Sequence, residues 1–113
     1  IPLGCARYQV LLSKPLGIVL EEANSSGIYV AEVVEGGNAA RSGQISVGDQ
    51  LISTSGVIYT TSQTYGATEV RGGEKVVQMN TMNETFDSVL AAIGSHPGHV
   101  PVRLEFQRCG DDL

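Results

Sequence analysis

The sequence predicts a single, mainly β domain carrying one short and one longer helix. Three observations predict it. Fourteen glycines punctuate the chain, and between them Val, Ile, Leu and Tyr alternate with polar residues at a period of two, the spacing of a half-buried strand. Only Thr85–Ile93 carries apolar residues at helical spacing over more than one turn. A length of 113 residues with 42% apolar content supplies material for one core.

Taken in order, Ala6–Ser13 is expected as a first strand, with Tyr8, Val10 and Leu12 on one face. Lys14-Pro15-Leu16-Gly17 then reads as a turn, because proline fixes φ and glycine permits close backbone approach. The N–H groups of Leu16, Gly17 and Ile18 can converge there as a nest for an anion such as a carboxylate. A second strand, Ile18–Glu22, sends Ile18 and Leu20 one way and Val19 and Glu21 the other. At a sheet edge, its unpaired backbone groups would accept a strand from another chain. Asn24-Ser25-Ser26-Gly27 is a turn by composition, and Ile28–Val34 a third strand.

Asn38 is expected to cap a short helix, Ala39–Ser42, that Gly43 stops. The Val47-Gly48-Asp49 turn feeds a fourth strand, Gln50–Thr54, closing at Gly56. Val57–Thr61 extends, Ser62–Thr68 is polar, Gly72-Gly73 is a tight turn and Glu74–Thr81 is again a strand. Together they predict a hairpin-like insertion. The longer helix, Thr85–Ile93, takes Asn83 or Thr85 as its N-cap. Phe86, Leu90 and Ile93 share one face, with Val89 and Ala92 beside them as a second apolar side. Gly94 ends it and Pro97 prevents resumption. Val100–Phe106 closes the chain as a strand, with Val102, Leu104 and Phe106 on one face.

The charge balance, formally −5, and the lack of a basic stripe argue against nucleic acid and against an anionic membrane surface as partners. No apolar run approaches the roughly 20 residues that span a bilayer. With no initiator Met and no signal-peptide pattern, the chain reads as a domain excised from a longer protein. Cys5 and Cys109 fit no zinc spacing and read as two free thiols in a reducing compartment. His96 and His99 flank Pro97-Gly98 without nearby carboxylates, so a surface turn is expected there rather than a metal site. Ser95 beside His96 is adjacency, since catalytic partners are matched in space. Gly36-Gly37 and Gly72-Gly73 lack the context of nucleotide loops. No catalytic set, cofactor or metal is therefore expected.

Pro15-Leu16-Gly17-Ile18, followed by Gly37-Asn38-Ala39-Ala40-Arg41-Ser42-Gly43 and Val47-Gly48-Asp49-Gln50-Leu51-Ile52, resembles the PDZ family. With the closing helix and strand, the resemblance covers nearly the whole chain. It implies a partly open β-sandwich or barrel of five to six strands, capped by a short and a longer helix. It also implies that first and last strands pair, which would bring Cys5 and Cys109 together for a disulfide. The polar insertion at about 58–75 departs from the common pattern and resembles PDZ domains of plants and algae, some of them plastidic. An intracellular setting, plastid or cytoplasm, is expected.

The resemblance further implies that a partner's C-terminal peptide adds as an antiparallel strand along Ile18, Val19 and Leu20, facing the last helix. Its carboxylate would sit on the amides of Leu16, Gly17 and Ile18, with Lys14 either adding attraction or simply solvated. Leu16, Ile18, Leu20 and Ile93 would line an apolar pocket for the last side chain. Phe86, with Leu90 a turn later, would select an apolar residue two before the ligand's end. A one-residue slip would place Thr85 there instead, and Phe86 and Leu90 could equally be core. Two readings follow: an adaptor or scaffold module recognising C-termini, or a regulatory domain of a larger enzyme such as a protease. The tail Asp111-Asp112-Leu113 suggests self-association through Leu113 in a neighbour's groove, or a disordered end.

Overall fold

The computed structural model describes residues 3–24, 26–59, 63–66, 68–70 and 73–110. The elements run β1 (Cys5–Leu12), β2 (Ile18–Glu22), β3 (Ile28–Val33), α1 (Asn38–Ser42), β4 (Gln50–Tyr59), β5 (Gln63–Tyr65), β6 (Thr68–Val70), β7 (Glu74–Asn80), α2 (Phe86–Gly94) and β8 (Val102–Cys109). One antiparallel sheet has the order β1-β8-β4-β3-β2, and β7 pairs with β4 beside it. β5 and β6 form a separate hairpin. The fold is thus mainly β, an open six-stranded sheet with two helices, as the sequence predicts.

Register follows the apolar alternation. Tyr8 lies opposite Phe106, Val10 opposite Leu104, and Leu12 opposite Val102, so the apolar faces of β1 and β8 coincide. These residues join Ile28, Val30 and Leu51 in a core that Ala39 of α1 and Val89 of α2 cover. Leu51, Val89, Val102, Leu104 and Phe106 are fully buried, each such side chain contributing about 1.5–3 kcal/mol. Val89 is the core face of α2, which turns Leu90 outward.

Several boundaries differ from the sequence prediction. Helix α1 begins at Asn38, with Gly37 as its cap and no side-chain capping bond. The Asn38 amide is used elsewhere, donating to Ser13 O and Pro15 O. β4 does not stop at Gly56 but continues to Tyr59, because β7 pairs with it from Ser53 to Tyr59. Gly56 lies within the strand opposite Val77, and a Cβ there would meet Ala92 Cβ on α2 in ordinary van der Waals contact at 3.4 Å. β8 starts later, at Val102, since Pro101 has no N–H for the ladder, and runs on to Cys109 against β1. Gly94 is the last residue of α2 rather than its stop, and Ser95 caps it.

The cysteines are also corrected. Cys5 and Cys109 face each other on the last rung of the β1–β8 ladder and form a disulfide, so they are not free thiols. One to three rungs further in, a polar lock joins β1, β8 and the turn before β4. Arg108 donates to both carboxylate oxygens of Asp49, at 3.0 Å from Nε and 2.8 Å from Nη2. The Tyr8 hydroxyl donates to Asp49 Oδ2, and the Arg108 guanidinium lies 5.2 Å from the Tyr8 ring centre. Asp49 is almost wholly buried. Burial would raise its pKa, but the Arg108 guanidinium, the Tyr8 hydroxyl and the Ser46 amide outweigh that and hold it below the ordinary value. Burial, then the Asp49 carboxylate, push the Tyr8 hydroxyl up.

Candidate functional site

The main-chain carbonyls of the loop between β1 and β2 are held from one side. Leu16 O accepts from Ala39 N at 2.9 Å and Gly17 O accepts from Val34 N at 2.8 Å. Pro15 O accepts from the Asn38 side chain at 2.9 Å. In a trans peptide the N–H points opposite to the C=O of the same unit. With the carbonyls of Pro15, Leu16 and Gly17 turned towards α1 and β3, the amides of Leu16, Gly17 and Ile18 turn the other way together. Gly17 makes this possible. Its φ is +79°, and a Cβ there would lie 3.0 Å from Gly37 Cα and 3.1 Å from Asn38 N.

The loop borders a groove of about 280 Å³ between β2 and α2. Leu16, Gly17, Ile18 and Leu20 form one wall, and Leu90 and Ile93 the other. Lys14 and Pro15 close the end. β2 is the terminal strand of the sheet order, so its outer edge carries no neighbouring strand among the described residues. Ile18 and Leu20 are half-buried on the groove face, while Val19 points to the opposite face and is 45% exposed. Leu90 is exposed, Ile93 half-buried. Phe86, at the first position of α2, packs against the core, and the groove lining ends at Leu90.

Three polar features position the helix wall, and the sequence signals none of them. Lys14 Nζ donates to Gly94 O at 3.2 Å and His96 O at 3.0 Å, carbonyls at and just past the negative end of α2. It therefore ties the amide-bearing loop to the opposite wall. His96 is buried rather than part of a surface turn. Its Nδ1 lies 2.8 Å from Ile93 O and its Nε2 2.7 Å from Ser55 Oγ. A carbonyl only accepts, so Nδ1 donates, and in the neutral ring Nε2 accepts from the Ser55 hydroxyl. Ser55 Oγ in turn accepts from Arg103 N at 2.8 Å. Ser95 Oγ bridges Val57 N and Ala92 O. The Ser55 and His96 side chains are both closed off from solvent, so this pair fastens α2 to β4 and β8 and offers no accessible nucleophile. Its members are 41 residues apart, with no pattern to link them.

Helix α2 is expected from Thr85, and Thr85 proves to be its cap, the hydroxyl accepting from Ser88 N. Asp111, Asp112 and Leu113, and with them the expected docking of the tail, lie outside the described residues.

A profile of the PDZ domain matches residues 9–82 of the chain. The chain belongs to the PDZ family. PDZ domains are protein-interaction modules that bind partner peptides. The matched stretch covers well over half of the chain, including the amide-bearing loop and the β2 wall, and ends before α2. A protein of Arabidopsis thaliana named as chloroplastic is 30% identical over 83 residues, covering 67% of this chain and 25% of that protein. The chain thus spans about a quarter of the length of this curated relative. Among the described residues, no helix is long and apolar enough to cross a membrane.

Proposed function

We infer that this PDZ domain binds the C-terminal tail of a partner protein by strand addition to β2. The observation that carries the reading is that the Pro15, Leu16 and Gly17 carbonyls are all taken from the α1 and β3 side, beside an apolar groove, which leaves the Leu16, Gly17 and Ile18 amides for a ligand. Three amides suit a carboxylate, whose charge-assisted hydrogen bonds are about twice as strong as neutral ones. A peptide running antiparallel to β2 would use that strand's free edge and bring its last side chain against Leu16, Ile18, Leu20 and Ile93. Those aliphatic walls favour Val, Leu or Ile at the ligand's end. Half-buried Phe86 offers no hydrogen bond, which favours an apolar residue two before it. The domain works as an adaptor within a longer protein, and the name of its Arabidopsis relative points to the plastid.

Fluorescence polarisation with paired peptides, ending in Leu as a free acid or as an amide, tests this. The acid is expected to bind at least about tenfold more tightly, the value of one charge-assisted hydrogen bond of about 1.5–3 kcal/mol. Equal binding of both forms would refute the carboxylate site.

A further inference from the structure

The Cys5–Cys109 bridge lies at the outer end of the β1–β8 ladder. It joins directly opposed residues on the last rung of the β1–β8 ladder, and past it the two strands share only the Gly110 N to Gly4 O hydrogen bond, 3.1 Å, among the described residues. Cys109 is exposed and Cys5 half-buried, and β1 is a sheet edge, so an outside thiol can approach the Cys109 sulfur. Meanwhile the strands it joins are held independently. Tyr8 stacks on Phe106 at 5.6 Å, and Arg108, next to Cys109, is fastened to buried Asp49. Inward from there, Val10, Leu12, Val102 and Leu104 are core.

We propose that this bridge is a thiol–disulfide exchange site, a redox staple that a dithiol reductant opens and an oxidant closes without unfolding the domain. A thiolate of the dithiol attacks Cys109 Sγ, and the S–S electron pair leaves on Cys5 Sγ, which takes up a proton. The second thiol, as its thiolate, then attacks the mixed disulfide. Cys109 leaves as thiolate and is protonated, and the reductant departs as a disulfide. Two electrons and two protons pass to the protein. The lock of Tyr8, Asp49 and Arg108 preserves the strand register meanwhile, so the change is in stability rather than in fold. The closed bridge spans a sequence separation of 104 residues, and constraining a loop that long removes much of the unfolded chain's freedom.

The test uses the whole chain, purified without reductant. Maleimide labelling read by mass spectrometry is expected to find no free thiol before dithiothreitol and two after it, in native buffer. The far-UV circular dichroism should stay unchanged, while Tm falls by roughly 10–20 °C. Oxidised glutathione should restore both readings. Cys5→Ser and Cys109→Ser variants should each melt with the reduced protein and ignore the reductant. Free thiols before reduction, an unmoved Tm, or a bridge that yields only in unfolding denaturant would each overturn the proposal; reduction of the native protein itself decides even if a variant fails to fold.

Discussion

Replacing Gly17 by Ala should separate two costs that the loop imposes at one position. The first is backbone strain, since φ at Gly17 is +79° and an L-residue there costs about 1–2 kcal/mol. The second is contact: the new Cβ would lie 3.0 Å from Gly37 Cα and 3.1 Å from Asn38 N, both main-chain atoms. The loop must then move off α1, weakening the Leu16 O–Ala39 N and Asn38 side-chain bonds, at about 0.5–1.5 kcal/mol each. The sum is about 2–5 kcal/mol, against total stabilities of about 5–15 kcal/mol. Two neighbours act as controls. Gly36 has a φ of +76° and open space around it, so Gly36→Ala carries strain alone. Gly37 is in extended conformation, and a Cβ there would lie 3.0 Å from Gly17 Cα, so Gly37→Ala carries contact alone. Urea denaturation of the three variants should therefore show the Gly17 loss approaching the sum of the other two. Gly17→Ala should also weaken binding of a free-acid peptide, because the amides move with the loop. If Gly17→Ala is no less stable than Gly36→Ala, the close packing of the loop on α1 is not what holds it.

Further outcomes rest on side chains. His96→Ala should cost about 3 kcal/mol or more in urea titrations, because it opens a cavity, takes the acceptor from the buried Ser55 hydroxyl and removes the imidazole donor to Ile93 O; Ser55→Ala should cost less, and a silent His96→Ala would deny the fastening role. Asp49 has its folded pKa lowered, so its stabilisation is complete above the ordinary carboxylate range near 4 and is lost as pH falls through the folded value. The urea midpoint should drop as pH falls below about 4 and go on dropping through the folded value, and Asp49→Asn should flatten that drop; an unchanged slope in the variant would place the acid sensitivity elsewhere. Phe86→His should shift the preference two residues before the ligand's end from apolar towards Ser or Thr, measured on a peptide array. No shift would mean that another residue of α2 faces that position.

What could be read from the chain depended on how local the signal was. The strand faces of β1, β3 and β8 were legible because burial on one side of a sheet forces alternation, as at Val10, Leu12, Val102 and Leu104. The face of α2 was legible for the same reason at a different period, and Val89 took the core while Leu90 and Ile93 took the groove. Gly56 misled because a glycine by itself does not end a strand, and β7 pairs straight through it, opposite Val77. His96 misled because its neighbours in sequence, Pro97 and Gly98, suggest a turn, whereas its partner Ser55 is on another strand.

The amide-bearing stretch from Lys14 to Leu20 shows the division most plainly. Its residue types alone determined that a proline–glycine turn enters an apolar strand, because φ limits and side-chain alternation are properties of single residues and their neighbours. The direction of its three amides was settled elsewhere, by Ala39, Val34 and Asn38 taking the carbonyls from one side. Likewise, Cys5 and Cys109 had no determinable state until the β1–β8 register set them on one rung. Pairing between groups distant in sequence leaves no local pattern, so the hydrogen bonds, the disulfide and the buried lock belong to the tertiary structure.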